Sequence, residues 1–125
     1  MFVLMKEARV WWPVTVQKPV DGGAIAEERF EAQFVLLGQE RIEELSRSEA
    51  GQKGLLEETF VDWRGVAREG GGEVPFSPET RTQLLDIPYV RRALARAFLN
   101  AAYGAKEKNS GTPPSDGPAA ASPAT

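Results

Sequence analysis

A chain of 125 residues is enough for one domain with a single core, which buries about two-thirds of its unfolded surface. Cysteine and histidine are both absent, which excludes thiolate nucleophiles, disulfides and the commonest zinc ligands. The formal net charge of −3 argues against a dedicated nucleic-acid-binding protein, because neutralising phosphates requires a basic excess.

The first nine residues begin with an apolar run but lack the basic leader and small-residue cleavage site of a signal peptide. Charged residues interrupt every apolar run before it reaches the roughly 20 residues that a membrane-spanning helix needs. We therefore expect no signal peptide and no membrane partner. The lack of disulfides makes the cytoplasm the simpler location.

Residues 9–37 show the two-residue alternation of a half-buried strand, with the apolar side chains at even positions. The run Val20-Asp21-Gly22-Gly23 supplies the positive backbone angles that a tight reversal needs. The segment is therefore predicted to be an antiparallel hairpin. Pro13 and Pro19 cannot donate to a strand ladder, so the first strand is predicted to lie at a sheet edge or to carry a bulge. The apolar residues 1–5 are compatible with a short third strand.

The hydrophobic period becomes helical after Gly38, and about four short helices are predicted across residues 39–104. The first has a narrow apolar stripe around Ile42 and Leu45. The second is predicted over residues 52–63, because Leu56, Phe60 and Trp63 follow one another at spacings of four and three.

Residues 66–76, with three consecutive glycines, are predicted to be an exposed and flexible loop. Ser77-Pro78-Glu79 then predicts a helix start, since it combines a capping hydroxyl, a proline at the first position and an acid. Ile87-Pro88 separates this helix from a longer one that ends near Tyr103. Residues 105–125 are mostly small and polar and are predicted to be a disordered tail. The sequence thus predicts a single α+β domain over residues 1–104.

No group of residues has the spacing of a catalytic or metal-binding site. Neighbouring pairs of carboxylates occur at Glu43-Glu44 and Glu57-Glu58, but acids on the outer face of a helix are usually only solvated. The glycine run lacks the lysine and the hydroxyl of a phosphate-binding loop. We therefore expect no enzymatic activity, no cofactor and no metal.

Trp11 and Trp12 point to opposite faces of the predicted strand, because neighbouring strand residues alternate. If Trp12 enters the core, Trp11 faces outward and is a candidate for contact with a partner. The alternative, in which a helix or the N-terminal segment of the same chain covers Trp11, stays open.

The charge is unevenly distributed along the chain. Residues 21–58 hold ten acids and four bases, a net charge of −6, whereas residues 78–109 hold six bases and three acids, a net charge of +3. Opposed charges of this kind favour head-to-tail association into rings or helical arrays. An ordinary mixed surface is the alternative.

A series of short motifs follows a definite order along the chain: Trp12-Pro13-Val14-Thr15-Val16, Pro19 with Asp21-Gly22, Phe30 and Phe34, Val61-Asp62-Trp63-Arg64-Gly65-Val66, Pro75-Phe76-Ser77, and Leu84-Leu85-Asp86-Ile87-Pro88-Tyr89-Val90 with Ala93-Leu94. This order of motifs resembles the tail assembly chaperones of long-tailed bacteriophages and prophages. The likeness extends from Arg9 to about Asn109 and depends on the order of the pattern more than on one diagnostic motif. The chain departs from the family at the glycine run and after Asn109.

The resemblance implies a non-enzymatic protein of the host cytoplasm that coats the tape measure protein before the tail tube polymerises and is absent from the mature virion. In some relatives a frameshifted longer form recruits tail tube protein, which is therefore a further candidate partner. A long helical client suits many weak copies of a small domain, so a homo-oligomer is expected. Partner or self contacts are predicted for five residues: Trp11, Phe76, Arg91, Arg92 and Arg96.

Three other functions compete with this one. The chain could be a permanent part of the virion, such as a minor tail or head-tail joining protein. It could be a small enzyme or ligand-binding module with a cleft between hairpin and helices. It could also be a nucleic-acid accessory protein that uses the arginines of the last helix, in which case its affinity would fall steeply with salt.

Overall fold

The computed structural model describes residues 1–105, and this part of the chain is an α+β domain with three strands and four α-helices. The strands form one antiparallel sheet in the order β1-β2-β3. The elements in chain order are β1 (Ala8–Val20), a short 3-10 turn (Asp21–Gly23), β2 (Ala24–Leu36), α1 (Gln39–Arg47), α2 (Gly51–Thr59), β3 (Phe60–Arg64), α3 (Pro78–Leu85) and α4 (Pro88–Ala102). The predicted fold class is confirmed. The predicted tail lies outside the described residues, apart from Ala105.

The predicted hairpin is confirmed in position and in register. Val14 pairs with Phe30 and Trp12 with Ala32, so the even-numbered residues of both strands share the face that packs into the core. Gly22 and Gly23 have φ angles of 86° and 82° at the reversal, which residues with a Cβ rarely adopt. Within the described sheet β1 pairs only with β2, so both of its prolines lie on an edge strand, as predicted.

The third strand is not where the sequence suggested. The helix predicted over residues 52–63 ends at Thr59, and the next five residues form β3. Phe60 pairs with Phe34 and Trp63 pairs with Ala32, with a register shift between Gln33 and Phe34. In a regular strand two residues three apart point to opposite faces, but one extra residue in a bulge brings both to the same face. Residues 1–5, the other candidate for a third strand, form no strand.

Aromatic rings form the centre of the core, between the sheet and the helices. Phe34, Phe60 and Phe98 are fully buried, and the ring centroid of Phe34 lies 6.0 Å from that of Phe60 and 5.6 Å from that of Phe98. Helix α4 supplies Phe98 and packs mainly along β1. This packing places the outer face of α4 next to the edge strand.

The predicted start of α3 is confirmed by a capping box. The Thr80 N–H donates to Ser77 Oγ over 3.1 Å, the Ser77 N–H donates to Thr80 Oγ1 over 2.8 Å, and Pro78 occupies the first helical turn. Helix α4 begins at Pro88 and is followed by Gly104 with a φ of 70°, as its sequence predicted.

The glycine-containing loop between β3 and α3 is exposed, as predicted, and forms a small hairpin. The Val74 N–H donates to the Val66 carbonyl over 2.8 Å, and the Arg68 N–H donates to the Gly72 carbonyl over 3.0 Å. Trp63 Nε1 donates to the Val74 carbonyl over 2.7 Å, which ties the loop to the core.

Candidate functional site

Trp11 faces away from the core, as predicted from its neighbour Trp12. It lies opposite Gln33 on the outer face of the sheet and is half-buried. The Arg64 guanidinium lies 4.0 Å from the centroid of the Trp11 ring, a cation-π contact, and Arg64 Nε donates to Glu31 Oε1 over 2.6 Å. The ring is therefore covered on one side by the β3 arginine. Its contact with a partner stays a prediction.

Phe76 takes part in the packing of its own chain. Its ring meets Trp63 and Phe60 edge-on, with centroids 5.0 Å and 5.8 Å apart. The Arg81 guanidinium lies 5.9 Å from the Phe76 centroid and donates to the carbonyls of Glu57 and Phe60 over 3.0 Å and 3.2 Å. The half-buried ring thus closes one end of the core, and only its outer part is left for the partner contact that the sequence predicted.

The three arginines predicted as contacts all lie on α4, but they do not form one group. Arg92 and Arg96 are exposed, while Arg91 is half-buried. Arg92 and Arg96 are four residues apart, so they share one face of the helix, whereas Arg91 points about 100° away from Arg92. Among residues 1–105 none of the three arginines has an ion pair. Two positive charges on one face of α4 are therefore available to a partner.

Exposed apolar side chains continue the same face of α4. Leu99 and Tyr103 follow Arg96 at spacings of three and four, and they are 38% and 58% exposed. The four residues form one exposed stripe, called here the α4 stripe: Arg92, Arg96, Leu99 and Tyr103. Tyr103 Oη donates to Gln39 Oε1 over 2.6 Å, which fixes the end of the stripe against α1. The sequence predicted contacts only for Arg92 and Arg96, the basic half of this stripe.

A groove lies between β1 and α4 beside the basic half of the stripe. Its volume is about 150 Å³, and it is called here the β1–α4 groove. Its lining residues are Thr15, Gln17, Tyr89, Arg92, Ala93 and Arg96. The two exposed arginines are thus brought together with Thr15 and Gln17 of β1 and with Tyr89, which lies near the start of α4.

Thr15 is the buried polar residue of this groove. It lies on β1 and is 7% exposed, and its hydroxyl has no hydrogen-bond partner in the described structure. An unsatisfied buried hydroxyl costs about 1–3 kcal/mol. Sequence reasoning missed Thr15, Gln17 and Tyr89, because the alternation of β1 indicates only which face each residue occupies and not that α4 lies against it.

Comparison with protein-family models, with curated proteins and with solved structures finds no match for this chain. Its function has to be inferred from its residues and its surface.

A second exposed apolar region precedes β1. Residues 1–5 are all apolar and all exposed, and the fractions for Phe2 and Leu4 are 87% and 90%. Single exposed apolar residues are common on soluble proteins, but a continuous run marks a contact site more often. This run, called here the 1–5 segment, therefore joins the α4 stripe as a candidate partner contact.

Two acidic residues, Glu44 of α1 and Glu58 of α2, form ion pairs with Arg41 of α1. Arg41 donates to Glu58 through Nε over 3.0 Å and through Nη2 over 2.7 Å, and its Nη1 donates to Glu44 over 2.7 Å. The hydrogen bonds from Arg41 hold the pKa of Glu58 below its usual value, and those to Glu58 and Glu44 raise the pKa of Arg41. Glu43 and Glu57 are exposed to solvent, as expected. The arginine therefore joins α1 to α2, which is a structural role.

Metal-ligating side chains do not cluster in groups of three or more within the described chain. Two further grooves have volumes of about 190 Å³ each, one between the hairpin and the start of α4 and the other between the glycine loop and α3. All three grooves are smaller than the roughly 300–1,000 Å³ typical of small-molecule sites. Residues 1–105 contain no helix that is long and apolar enough to cross a membrane.

Proposed function

We propose that this chain is a non-enzymatic tail assembly chaperone of a long-tailed bacteriophage or prophage, which binds and coats the tape measure protein during tail assembly. In this proposal it works without a cofactor, as a homo-oligomer, in the cytoplasm of the bacterial host. It leaves the particle before the virion matures. Tail tube protein is a further partner.

The α4 stripe is the observation that carries the proposal. It presents two arginines that have no ion pair among residues 1–105, together with Leu99 and the exposed ring of Tyr103, in one line along α4 and the residue that follows it. A line of this kind suits another helix with an apolar and acidic face, because anchors spaced by three and four residues match the helical repeat. A tape measure protein offers a long helical surface, along which many weak contacts add up.

The motifs behind the family resemblance fall at positions that determine the fold. Val61 to Gly65 form β3 and its closing turn, Ser77 caps α3, and Ile87-Pro88 separates α3 from α4. Phe34 and Leu94 are fully buried. The resemblance therefore concerns residues that specify an architecture, and this supports a shared fold more than scattered identities would.

Co-expression tests the proposal. The chain, carrying an affinity tag, is produced together with the tape measure protein of the same genome, and the mass of the retained complex is determined by analytical ultracentrifugation. We expect the tape measure protein to be retained in soluble form with several copies of the chain on each molecule. A tape measure protein that stays insoluble or is not retained would contradict the proposal.

Mass spectrometry of purified particles separates this function from that of a permanent virion protein. A minor tail or head-tail joining protein remains in the particle at a fixed number of copies, whereas a chaperone leaves it. We expect the particles to contain tail tube and tape measure protein but not this chain. Its presence at a constant ratio to a structural protein would favour the virion function.

A further inference from the structure

The β1–α4 groove combines three features that no other part of the described surface brings together. Arg92 and Arg96 flank it without any ion pair among residues 1–105. Thr15 lines it, nine-tenths buried, with a hydroxyl that has no hydrogen-bond partner there. Tyr89 and Gln17 add two further polar side chains, and the Gln17 Nε2 also donates to the carboxylate of Glu27 over 3.4 Å. All of these groups can donate a hydrogen bond, and the two arginines can only donate.

Donors of this kind fit an anionic acceptor. A guanidinium presents parallel N–H groups that match the two oxygens of a carboxylate, and charge-assisted hydrogen bonds are the strongest that proteins make. The groove volume of about 150 Å³ is below the roughly 300–1,000 Å³ typical of small-molecule sites. This is room for one small anionic group and not for a cofactor.

The surroundings of the groove favour a polypeptide as the source of that anion. Leu99 and Tyr103 continue the line of the two arginines as exposed apolar groups. On a partner helix whose acidic residue binds the arginines, an apolar side chain about two turns away would lie against Leu99 and Tyr103. A nucleic acid would instead require a broad basic surface. The net charge of −3 and the acidic outer faces of α1 and α2 oppose such a polyanion.

We propose that the β1–α4 groove is a binding site for a carboxylate carried by a partner polypeptide. Arg92 and Arg96 hold its two oxygens. The Thr15 oxygen is shielded from solvent, so its hydroxyl reaches the carboxylate through a local opening between β1 and α4. The inference rests on the proposed function only for the partner's identity, which is the tape measure protein with an acidic residue on a helical face.

The site is tested on the full-length, isotopically labelled chain by NMR, with acetate as the carboxylate probe and acetamide as its neutral counterpart, at constant ionic strength. We expect acetate, but not acetamide, to cause saturable shifts at the backbone amides of Thr15 and Gln17, with a half-saturation on the order of millimolar. In Arg92→Gln/Arg96→Gln the shifts should require at least tenfold more acetate.

A matched variant controls for the loss of charge. Arg47→Gln/Arg68→Gln removes two exposed arginines with no ion pair in the described structure, and it should bind acetate as the wild type does. Thr15→Val is the second variant and should weaken acetate binding several-fold without unfolding the chain. Equal losses in both arginine variants, or equal shifts with acetamide, would overturn the site. So would a duplex oligonucleotide that displaces acetate from it, because the partner would then be a nucleic acid.

Retention of the tape measure protein separates this inference from the proposed function. We expect Arg92→Gln/Arg96→Gln to lose most of the co-expressed tape measure protein and Arg47→Gln/Arg68→Gln to keep it. If acetate binds as described but neither the wild type nor any variant retains the tape measure protein, the proposed function fails and the site stands. If both variants retain it and acetate does not bind, the site fails and the proposed function stands.

Discussion

Two buried threonines differ in whether their hydroxyl groups have a partner. Thr59 is fully buried at the end of α2, and its Oγ1 donates to the Leu55 carbonyl over 2.8 Å. Thr15 is 7% exposed, and its Oγ1 has no partner among the described residues. Because an unmade hydrogen bond costs more than a made one contributes, the same substitution should have opposite effects at the two positions.

We expect Thr15→Val to raise the free energy of unfolding by about 1 kcal/mol, and Thr59→Val to lower it by about 1 kcal/mol. Valine keeps the shape of threonine, so packing changes little in either case. Urea unfolding followed by tryptophan fluorescence measures both values. A loss of stability in Thr15→Val would show that its hydroxyl is hydrogen-bonded, and the binding role given to it would fail.

The direction in which a single side chain points was predictable where it follows from the alternation of residues along a strand. The outward orientation of Trp11 followed from the inward orientation of Trp12. The Arg64 side chain that covers Trp11 was not predictable, because it comes from β3, a strand assigned to a helix on the sequence alone. The burial of Thr15 depends in the same way on where α4 lies.

At the scale of elements, β3 shows why a spacing of three residues is ambiguous. Phe60 and Trp63 fit one face of a helix, and they also fit one face of a strand that carries a bulge. The run Phe60-Val61-Asp62-Trp63 contains aromatic and β-branched residues, which favour a strand. Pairing with β2 decides the outcome, and a single sequence does not display that pairing. The hairpin and the start of α3 were predictable, because their turn and cap residues act locally.

The cap of α3 can be tested by one substitution. Ser77→Ala removes the oxygen that accepts the Thr80 N–H, and we expect the free energy of unfolding to fall by about 1 kcal/mol. Ser46→Ala, at an exposed position in α1, is the control and should stay within about 0.5 kcal/mol of the wild type. Urea midpoints measure both. Equal midpoints for the two variants would mean that the cap contributes nothing.

The ion pair between α1 and α2 makes stability depend on pH. Arg41 holds the pKa of Glu58 below its usual value, so Glu58 stabilises the fold above the ordinary glutamate pKa of about 4.3. That contribution is lost as the pH falls through the lower pKa of the folded state. We expect Glu58→Gln to have a lower urea midpoint than the wild type at neutral pH. The difference should disappear in acid, once the wild-type carboxylate is protonated.

Glu57→Gln is the matched control for this titration. Glu57 is the exposed neighbour of Glu58 and has no ion pair among residues 1–105. Its midpoint should run parallel to that of the wild type from neutral pH into acid. A pH-independent difference between Glu58→Gln and the wild type would show that Glu58 acts through packing and not through its charge.

At the scale of the whole molecule, the change from a two-residue to a helical period was enough to predict the α+β fold class. The uneven charge was also visible in the sequence. In the structure the acids of residues 21–58 lie mainly on β2, α1 and α2, and Arg91, Arg92 and Arg96 lie on α4. The side-by-side placement of α4 and β1 was not predictable. It depends on the sheet order and on how all four helices pack, and it is what creates the groove.

The 1–5 segment gives a test at this scale that does not involve the groove. Phe2 and Leu4 are 87% and 90% exposed, so their side chains add almost nothing to the core. We expect Phe2→Ser/Leu4→Ser to leave the free energy of unfolding within about 0.5 kcal/mol of the wild type. Retention of the co-expressed tape measure protein should fall, because a continuous exposed apolar run is a contact surface.

The hairpin tip provides the matched control for that loss. Val20 and Ile25 are 40% and 56% exposed, and they lie at the tip of the hairpin, away from the 1–5 segment in sequence. Val20→Ser/Ile25→Ser removes the same number of exposed apolar side chains and should retain the tape measure protein as the wild type does. If both variants retain the tape measure protein at the wild-type level, the 1–5 segment is excluded from the contact. The α4 stripe is then left as the surface that holds the client. Equal losses would instead indicate a general effect of surface hydrophobicity, since two separate regions would then contribute alike.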